Sequence, residues 1–298
     1  MVSLRARLFV WFLKRTMKRR HGSDFDIAAM RAGAGGRVVK VPDCLVVTPG
    51  DVGGIAGEWV EQRRGQPAAT LLYLHGGGYF FCSPRTHRPI TLGFARRGFR
   101  VFAPAYRLAP EHPFPAAVED AVAVYRGLIA QGMPAQSITV AGDSAGGGLV
   151  MAMLLSLRDA GDALPAAAVL FSPWTDLAAT GASLTRNSHS DAMFYGDQIA
   201  EGGAIYLAGA DPRSPLASPL YAALHGLPPL LIHASDDEVL LDDSTRLAAR
   251  VHAAGGRATL RTWRGVPHAW PIFSFLPEAR QSMDAAAAFL QAAFLQTG

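Results

Sequence analysis

Ser144 stands at the centre of Gly142-Asp143-Ser144-Ala145-Gly146, directly after the apolar run 138–141 and directly before a helical pattern of small residues over 145–160. A G-x-S-x-G set between a strand and a helix lifts the serine hydroxyl out of a sharp turn, where it can act as a nucleophile. The two glycines are required because side chains flanking the serine would collide with the neighbouring strand and helix. The helix that begins at Ala145 aims its amino end at any negative charge developing there. A bare five-residue pattern recurs by chance in glycine-rich loops, so the strand before it and the helix after it carry the argument.

A second motif, His75-Gly76-Gly77-Gly78, follows the apolar run 70–74. Attack on an acyl carbon places charge on the carbonyl oxygen, and unobstructed backbone N–H groups stabilise it, each by roughly 3 to 4 kcal/mol. A phosphate loop would need Gly-Lys-Ser/Thr here, and the dinucleotide fingerprint would need glycine where Phe81 stands. Both fail.

These loops need a scaffold, and from about residue 37 short apolar runs alternate with longer helical patterns. That alternation predicts an α/β fold with a mostly parallel sheet covered on both faces. Strands are expected at 38–47, 58–62, 70–74, 100–103, 137–141, 166–171, 229–234 and 258–262. Helices are expected at 4–18, 88–97, 115–130, 145–160, 197–208, 244–254 and 277–295. The stretch 178–219 breaks the rhythm and reads as an insertion over the sheet's C-terminal edge, where open α/β folds bind ligands.

The 298 residues are half hydrophobic and 17% charged, ample material for a buried core, and the length alone fits either two small domains or one large one. The formal charge of +4 conceals an asymmetry. Arg5, Arg7, Lys14, Arg15, Lys18, Arg19 and Arg20 crowd the first twenty residues without an acid. The remainder holds 21 basic and 24 acidic residues, a net −3, which gives no electrostatic footprint for nucleic acid. The apolar stretch 8–13 within the basic segment is too short and too charged at its flanks for a signal peptide. No segment approaches the roughly 20 apolar residues that cross a bilayer, so no stable membrane insertion is expected. The choice left for this helix is packing on the protein's own body or lying on a membrane surface, and the first is favoured. Cys44 and Cys82, the only cysteines, are expected to be free thiols in a cytoplasmic protein.

Five motifs in order resemble the hormone-sensitive-lipase-like (bacterial family IV) carboxylesterases of the α/β-hydrolase fold. They are H-G-G-G-Y at 75–79, Y-R-L-A-P-E at 106–111, F-P-A-A-V-E-D at 114–120, G-D-S-A-G-G at 142–147 and S-P-W-T-D-L at 172–177. The resemblance runs from about residue 70 to 270. It implies an eight-stranded sheet, Ser144 as nucleophile, and an oxyanion hole from the N–H groups of Gly76, Gly77 and Ala145. It also implies a helical cap from about 1–40 and 178–218 over a catalytic core of about 41–177 and 219–298, within one α/β-hydrolase domain. Tyr79, Phe80, Phe81, Phe194, Tyr195 and Leu207 are candidates for an apolar acyl pocket, although aromatics so placed are as often plain core.

The order in this fold is serine, acid, histidine. Of nine histidines only His268 follows a strand, sits in a loop and precedes the final helix, and Gly265-Val266-Pro267-His268-Ala269-Trp270 resembles the family's motif. His75 is expected to shape its loop and His233 to pack in the core. Five carboxylates lie in Asp236-Asp237-Glu238-Val239-Leu240-Leu241-Asp242-Asp243. The family usually shows Asp-Pro-Leu-x-Asp-Glu, so aligning its acidic pair on 242–243 puts the acid at Glu238, with Val239 replacing proline. Asp236 and Asp237 are the alternatives. The four carboxylates other than Glu238 read as a solvated loop and a helix N-terminus.

The expected activity is therefore hydrolysis of small, short- to medium-chain acyl esters, with no cofactor and no metal. A non-catalytic small-molecule binder on the same fold, and an amidase or acyltransferase using the same triad, are the competing expectations. The resemblance also implies a homodimer, with 258–262 as its candidate edge strand.

Overall fold

The computed structural model describes residues 2–18, 26–35, 39–65 and 69–295. Arg19 and Arg20 of the basic segment, Val38 at the start of the first expected strand, and parts of the 1–40 cap region lie outside the described residues.

Eight strands form one sheet: β1 (Leu45–Val52), β2 (Ile55–Gln62), β3 (Ala69–Leu74), β4 (Phe99–Pro104), β5 (Ile138–Asp143), β6 (Ala168–Phe171), β7 (Leu230–Ser235) and β8 (Ala258–Trp263). Their order is β1-β2-β4-β3-β5-β6-β7-β8. The hairpin strand β2 runs antiparallel to both its neighbours, and from β4 to β8 every pairing is parallel. The helices are α1 (Leu4–Thr16), α2 (Ile27–Gly35), α3 (Arg88–Ala95), α4 (Ala116–Ala130), α5 (Ala145–Asp159), α6 (Ser183–Arg186), α7 (Asp197–Leu207), α8 (Leu241–Ala253) and α9 (Pro277–Leu295).

The central strands β3, β5, β6 and β7 are apolar on both faces because both are covered. Helices α4, α5 and α8 fill one side through Val124, Leu149, Met153, Leu247 and Val251. Helices α3 and α9 fill the other through Phe94, Met283, Ala286 and Leu290. Helix α5 is buried along nearly its whole length, which makes it the fixed post behind Ser144.

One expected strand is displaced. In place of 38–47, β1 occupies 45–52, with Pro49 and Gly50 inside it. Proline is tolerated because β1 is an edge strand, paired only with β2, and the hairpin then turns at Gly53-Gly54, where φ is +63° and +80°. Helix α2 falls within the expected 1–40 cap region, at a stretch for which no helix was anticipated. Arg31 holds it, donating to the carbonyls of Phe80 and Ala109 and to the Glu111 carboxylate. The short α6 inside the insertion was likewise not anticipated.

Candidate active site

At the carboxyl end of β5 the chain turns so sharply that Ser144 takes φ 52° and ψ −124°, left-handed backbone that costs a non-glycine residue strain. A Cβ on Gly142 would fall 2.4 Å from the Gly146 carbonyl oxygen, and one on Gly146 would fall 2.1 Å from that of Leu74. The glycines thus answer to steric need on both sides of the serine. Ser144 N–H donates to the Phe171 carbonyl at 2.9 Å, and its own carbonyl accepts from Gly147, Gly148 and Trp174. The side chain is left half-buried at the start of α5.

The adjacent glycine loop leaves β3 beside this turn and is pinned by Asp143. That buried carboxylate accepts the Tyr73 hydroxyl and the Gly76 N–H, the latter at 3.0 Å, and lies 3.3 Å from His87 Nε2. Burial alone would raise the Asp143 pKa, but His87 and these hydrogen bonds outweigh it and hold the group below its ordinary range. Here one expectation needs correction: the single Gly76 N–H is already committed to Asp143, so it is not available to an oxyanion. The N–H groups of Gly77, Gly78 and Ala145 have no hydrogen-bond partner among the described residues. Gly77 and Gly78 sit at φ +113° and +60°, conformations that glycine adopts freely. His75 shapes the loop from below. It is buried, stacks on Tyr106 at 4.3 Å, donates from Nδ1 to the Gly76 carbonyl, and desolvation drives its pKa down to about 3.

His268 approaches from the loop after β8. Its Nδ1 lies 2.7 Å from Glu238 Oε2, and both side chains are buried. The second carboxylate oxygen, Oε1, accepts the Ser235 N–H at 3.0 Å, so Glu238 is fixed at both oxygens. Burial disfavours a charged imidazole, yet the hydrogen bond and charge of Glu238 prevail and raise the His268 pKa above its usual 6.5. His268 Nε2 makes no hydrogen bond among the described residues. Ser172 links the two loops: it directly follows Phe171, which binds the Ser144 amide, and its Oγ accepts the Ala269 N–H at 3.1 Å.

The other acids of the 236–243 run turn elsewhere. Asp236 pairs with exposed Arg264, and Asp237 accepts the Gly265 N–H. Asp242 receives Ser183 N–H and Arg186. Asp243 lies in the first turn of α8, the helix N-terminus expected for it, but it is buried there and accepts the N–H groups of Thr175 and Asp176. Desolvation lifts its pKa to about 8.

The expected pocket residues, five aromatics and Leu207, lie in different settings. Tyr79, Phe80 and Leu207 are core residues, with Tyr79 stacked on Tyr206 at 3.8 Å. Phe194 stands edge-on to the His268 ring at 5.3 Å, and Tyr195 lies under Lys18. Phe81 is half-buried against the same core. Two residues that sequence reasoning passed over hold the turn that carries Glu238. Asn187 donates to the Asp236 and Glu238 carbonyls, and Asp191 accepts Val239 N–H through Oδ2 and Met193 and Phe194 N–H through Oδ1. Their only sequence signal is polarity within a loop. Packing resolves His233 as core: it is buried, and its Nδ1 meets Ser282 Oγ.

An α/β-hydrolase fold profile matches residues 71–272 of this chain. An acetyl-hydrolase of Streptomyces hygroscopicus is 49% identical over 84% of this chain and 85% of its own length. The crystal structure of EstE5, soaked with p-nitrophenyl butyrate, superposes with a TM-score of 0.94 at 41% identity, covering 98% of this chain and 99% of that one. An esterase from the bacterial hormone-sensitive lipase family superposes with a TM-score of 0.90 at 42% identity, covering 99% of this chain and all of that one. The chain belongs to the hormone-sensitive-lipase-like α/β-hydrolases. An esterase of Acinetobacter venetianus is a more distant relative, 35% identical over 79% of each chain. In this hydrolase no helix among the described residues is long and apolar enough to cross a membrane. Nor do the described residues hold a group of three or more His, Cys, Asp or Glu placed to bind a metal.

Proposed function

We propose that Ser144, His268 and Glu238 are the nucleophile, base and acid of a carboxylic ester hydrolase that works through an acyl-enzyme. The observation that carries the reading is the buried His268–Glu238 hydrogen bond, which commits Nδ1 and leaves the Nε2 lone pair for the serine. Ser144 Oγ attacks the ester carbonyl as His268 Nε2 takes its proton. The new oxyanion receives N–H groups from Gly77, Gly78 and Ala145. The imidazolium returns the proton to the leaving alkoxide, and the alcohol departs. Water, deprotonated by the same nitrogen, then releases the acid and restores Ser144.

Residues 1–40 and 178–218 serve as the cap over a catalytic core of 41–177 and 219–298. Phe194 beside His268, and the half-buried Phe81 and Tyr195, favour short to medium acyl chains. We assign a homodimer to pairing through β8, which among the described strands has only β7 beside it. The two free thiols suit a cytoplasmic setting.

Hydrolysis of p-nitrophenyl esters from two to sixteen carbons tests the reading. A burst followed by turnover, strongest at two to eight carbons, is expected. Absence of both would mean a binding protein, and preferential acyl transfer to an added amine would mean a transferase.

A further inference from the structure

Helix α1 has two faces that differ in what covers them. One is accounted for: Ala6 and Leu13 are buried, Ala6 against Val266, Trp270, Leu276 and Ala279, with Phe9 edge-on to Phe273. Ser3 caps the helix, and its N–H and hydroxyl donate to Glu278. On the opposite face Leu4, Leu8, Trp11 and Phe12 are 71, 59, 55 and 51% exposed. At about 100° per residue these four occupy an arc of roughly 100°. Arg7 and Lys14 border it on one side and Arg5 on the other, while Arg15 lies within it, stacked 4.0 Å over the Trp11 ring. The helix contains no acid, and the chain beyond the basic segment is net negative.

We propose that this face is a reversible docking element for an anionic lipid surface. An apolar stripe of aliphatic and aromatic side chains with arginine and lysine at its borders suits the headgroup boundary, where the stripe sinks toward the acyl chains and the cations meet phosphates. Charge decides the occupant. A second copy meeting this face through a two-fold axis would bring arginine against arginine, whereas an anionic bilayer complements every charge on the helix. Four exposed apolar side chains give transient binding, consistent with a chain whose described residues hold no membrane-spanning helix. The sequence favoured packing of α1 on the body, and the structure gives that role to one face only.

Docking at α1 places the candidate site close to the lipid. Lys14 Nζ donates to the His189 carbonyl, and Lys18 Nζ to those of Ser188 and Asp191. The same segment holds the Glu238 turn through Asn187 and Asp191 and presents Phe194 to His268.

The full chain is tested by sedimentation with vesicles of phosphatidylglycerol and phosphatidylcholine in equal parts, and with phosphatidylcholine alone. The protein is expected to pellet with the anionic vesicles at ~0.1 M salt, with partition falling about tenfold at ~0.5 M salt or on neutral lipid. Leu8→Ser with Trp11→Ser, and separately Arg7→Glu with Arg15→Glu, should each lower partition about tenfold with Tm unchanged, because all four side chains are exposed. Protein that stays in the supernatant with every vesicle overturns the proposal, and so does undiminished pelleting of both variants. A dimer that Leu8→Ser with Trp11→Ser converts to monomer overturns it too, since a second copy then covers the stripe.

Discussion

Glu238 Oε2 and His268 Nδ1 stand 2.7 Å apart, and both side chains are buried. The carboxylate raises the pKa of the imidazole against the opposing effect of burial, and the neutral imidazole is the form that accepts the Ser144 proton. The kcat/KM profile should therefore rise with pH along an acid limb above 6.5. In Glu238→Gln the largest raising influence is gone, leaving the smaller ones of Asp191 and Asp143 against burial, so the limb should move to lower pH while kcat drops about 100- to 10,000-fold. Asp236→Asn and Asp237→Asn should keep kcat within about threefold, since neither carboxylate touches the histidine. A pH profile of all three variants that singled out Asp236 or Asp237 would reassign the acid.

Ser144→Ala should lower turnover of p-nitrophenyl butyrate by at least about 10,000-fold. Labelling by an organophosphate, read by intact mass, should vanish with it. The melting curve should hold or rise, because alanine replaces a half-buried serine without vacating core space.

Gly77→Ala should reduce kcat about 100- to 1,000-fold with a smaller change in KM. A Cβ there would fall 2.2 Å from the Phe81 carbonyl oxygen at φ +113°, forcing the loop to shift its amides. Steady-state kinetics on a soluble ester, with Tm recorded alongside, separates loss of oxyanion donors from loss of fold.

Asp243 offers a test of stability. Its folded pKa is raised to about 8 by desolvation, whereas an unfolded aspartate titrates near 4. A raised folded pKa gives stability that is present in full below pH ~4 and is lost as pH climbs toward ~8. Asp243→Asn carries no ionisable group and can still accept the Thr175 and Asp176 amides. Its Tm should exceed that of the parent by a few degrees, roughly, at pH 8 and by less at pH 5. A difference that did not grow with pH would show that the carboxylate ionises freely in place.

The sheet and its seven longer anticipated helices were legible because burial on two faces imposes apolar runs, and turns impose glycine. The strand-turn-helix around Ser144 and the loop carrying His268 were legible for the same reason: local chemistry fixed them. Legibility ended where partners are distant in the chain. Nothing near Gly76 reveals that its amide belongs to Asp143, 67 residues away. Burial of Asp243 follows from a loop at 175–176 that folds over it, and α2 is seated on the body by Arg31 reaching Phe80 and Ala109. Glu238 was chosen from the sequence by alignment to a motif, whereas its contacts with His268, 30 residues away, and with the Ser235 amide are visible only in the fold.

The clamps of Asn187 and Asp191 on the 236–239 turn bear on any attempt to alter acyl preference by exchanging the 178–218 insertion. A graft chosen for its lining alone would unmoor the carboxylate that steadies His268. Chimeras retaining an amide and a carboxylate at those two positions should stay active with new preferences, and those lacking them should lose rate on every ester alike.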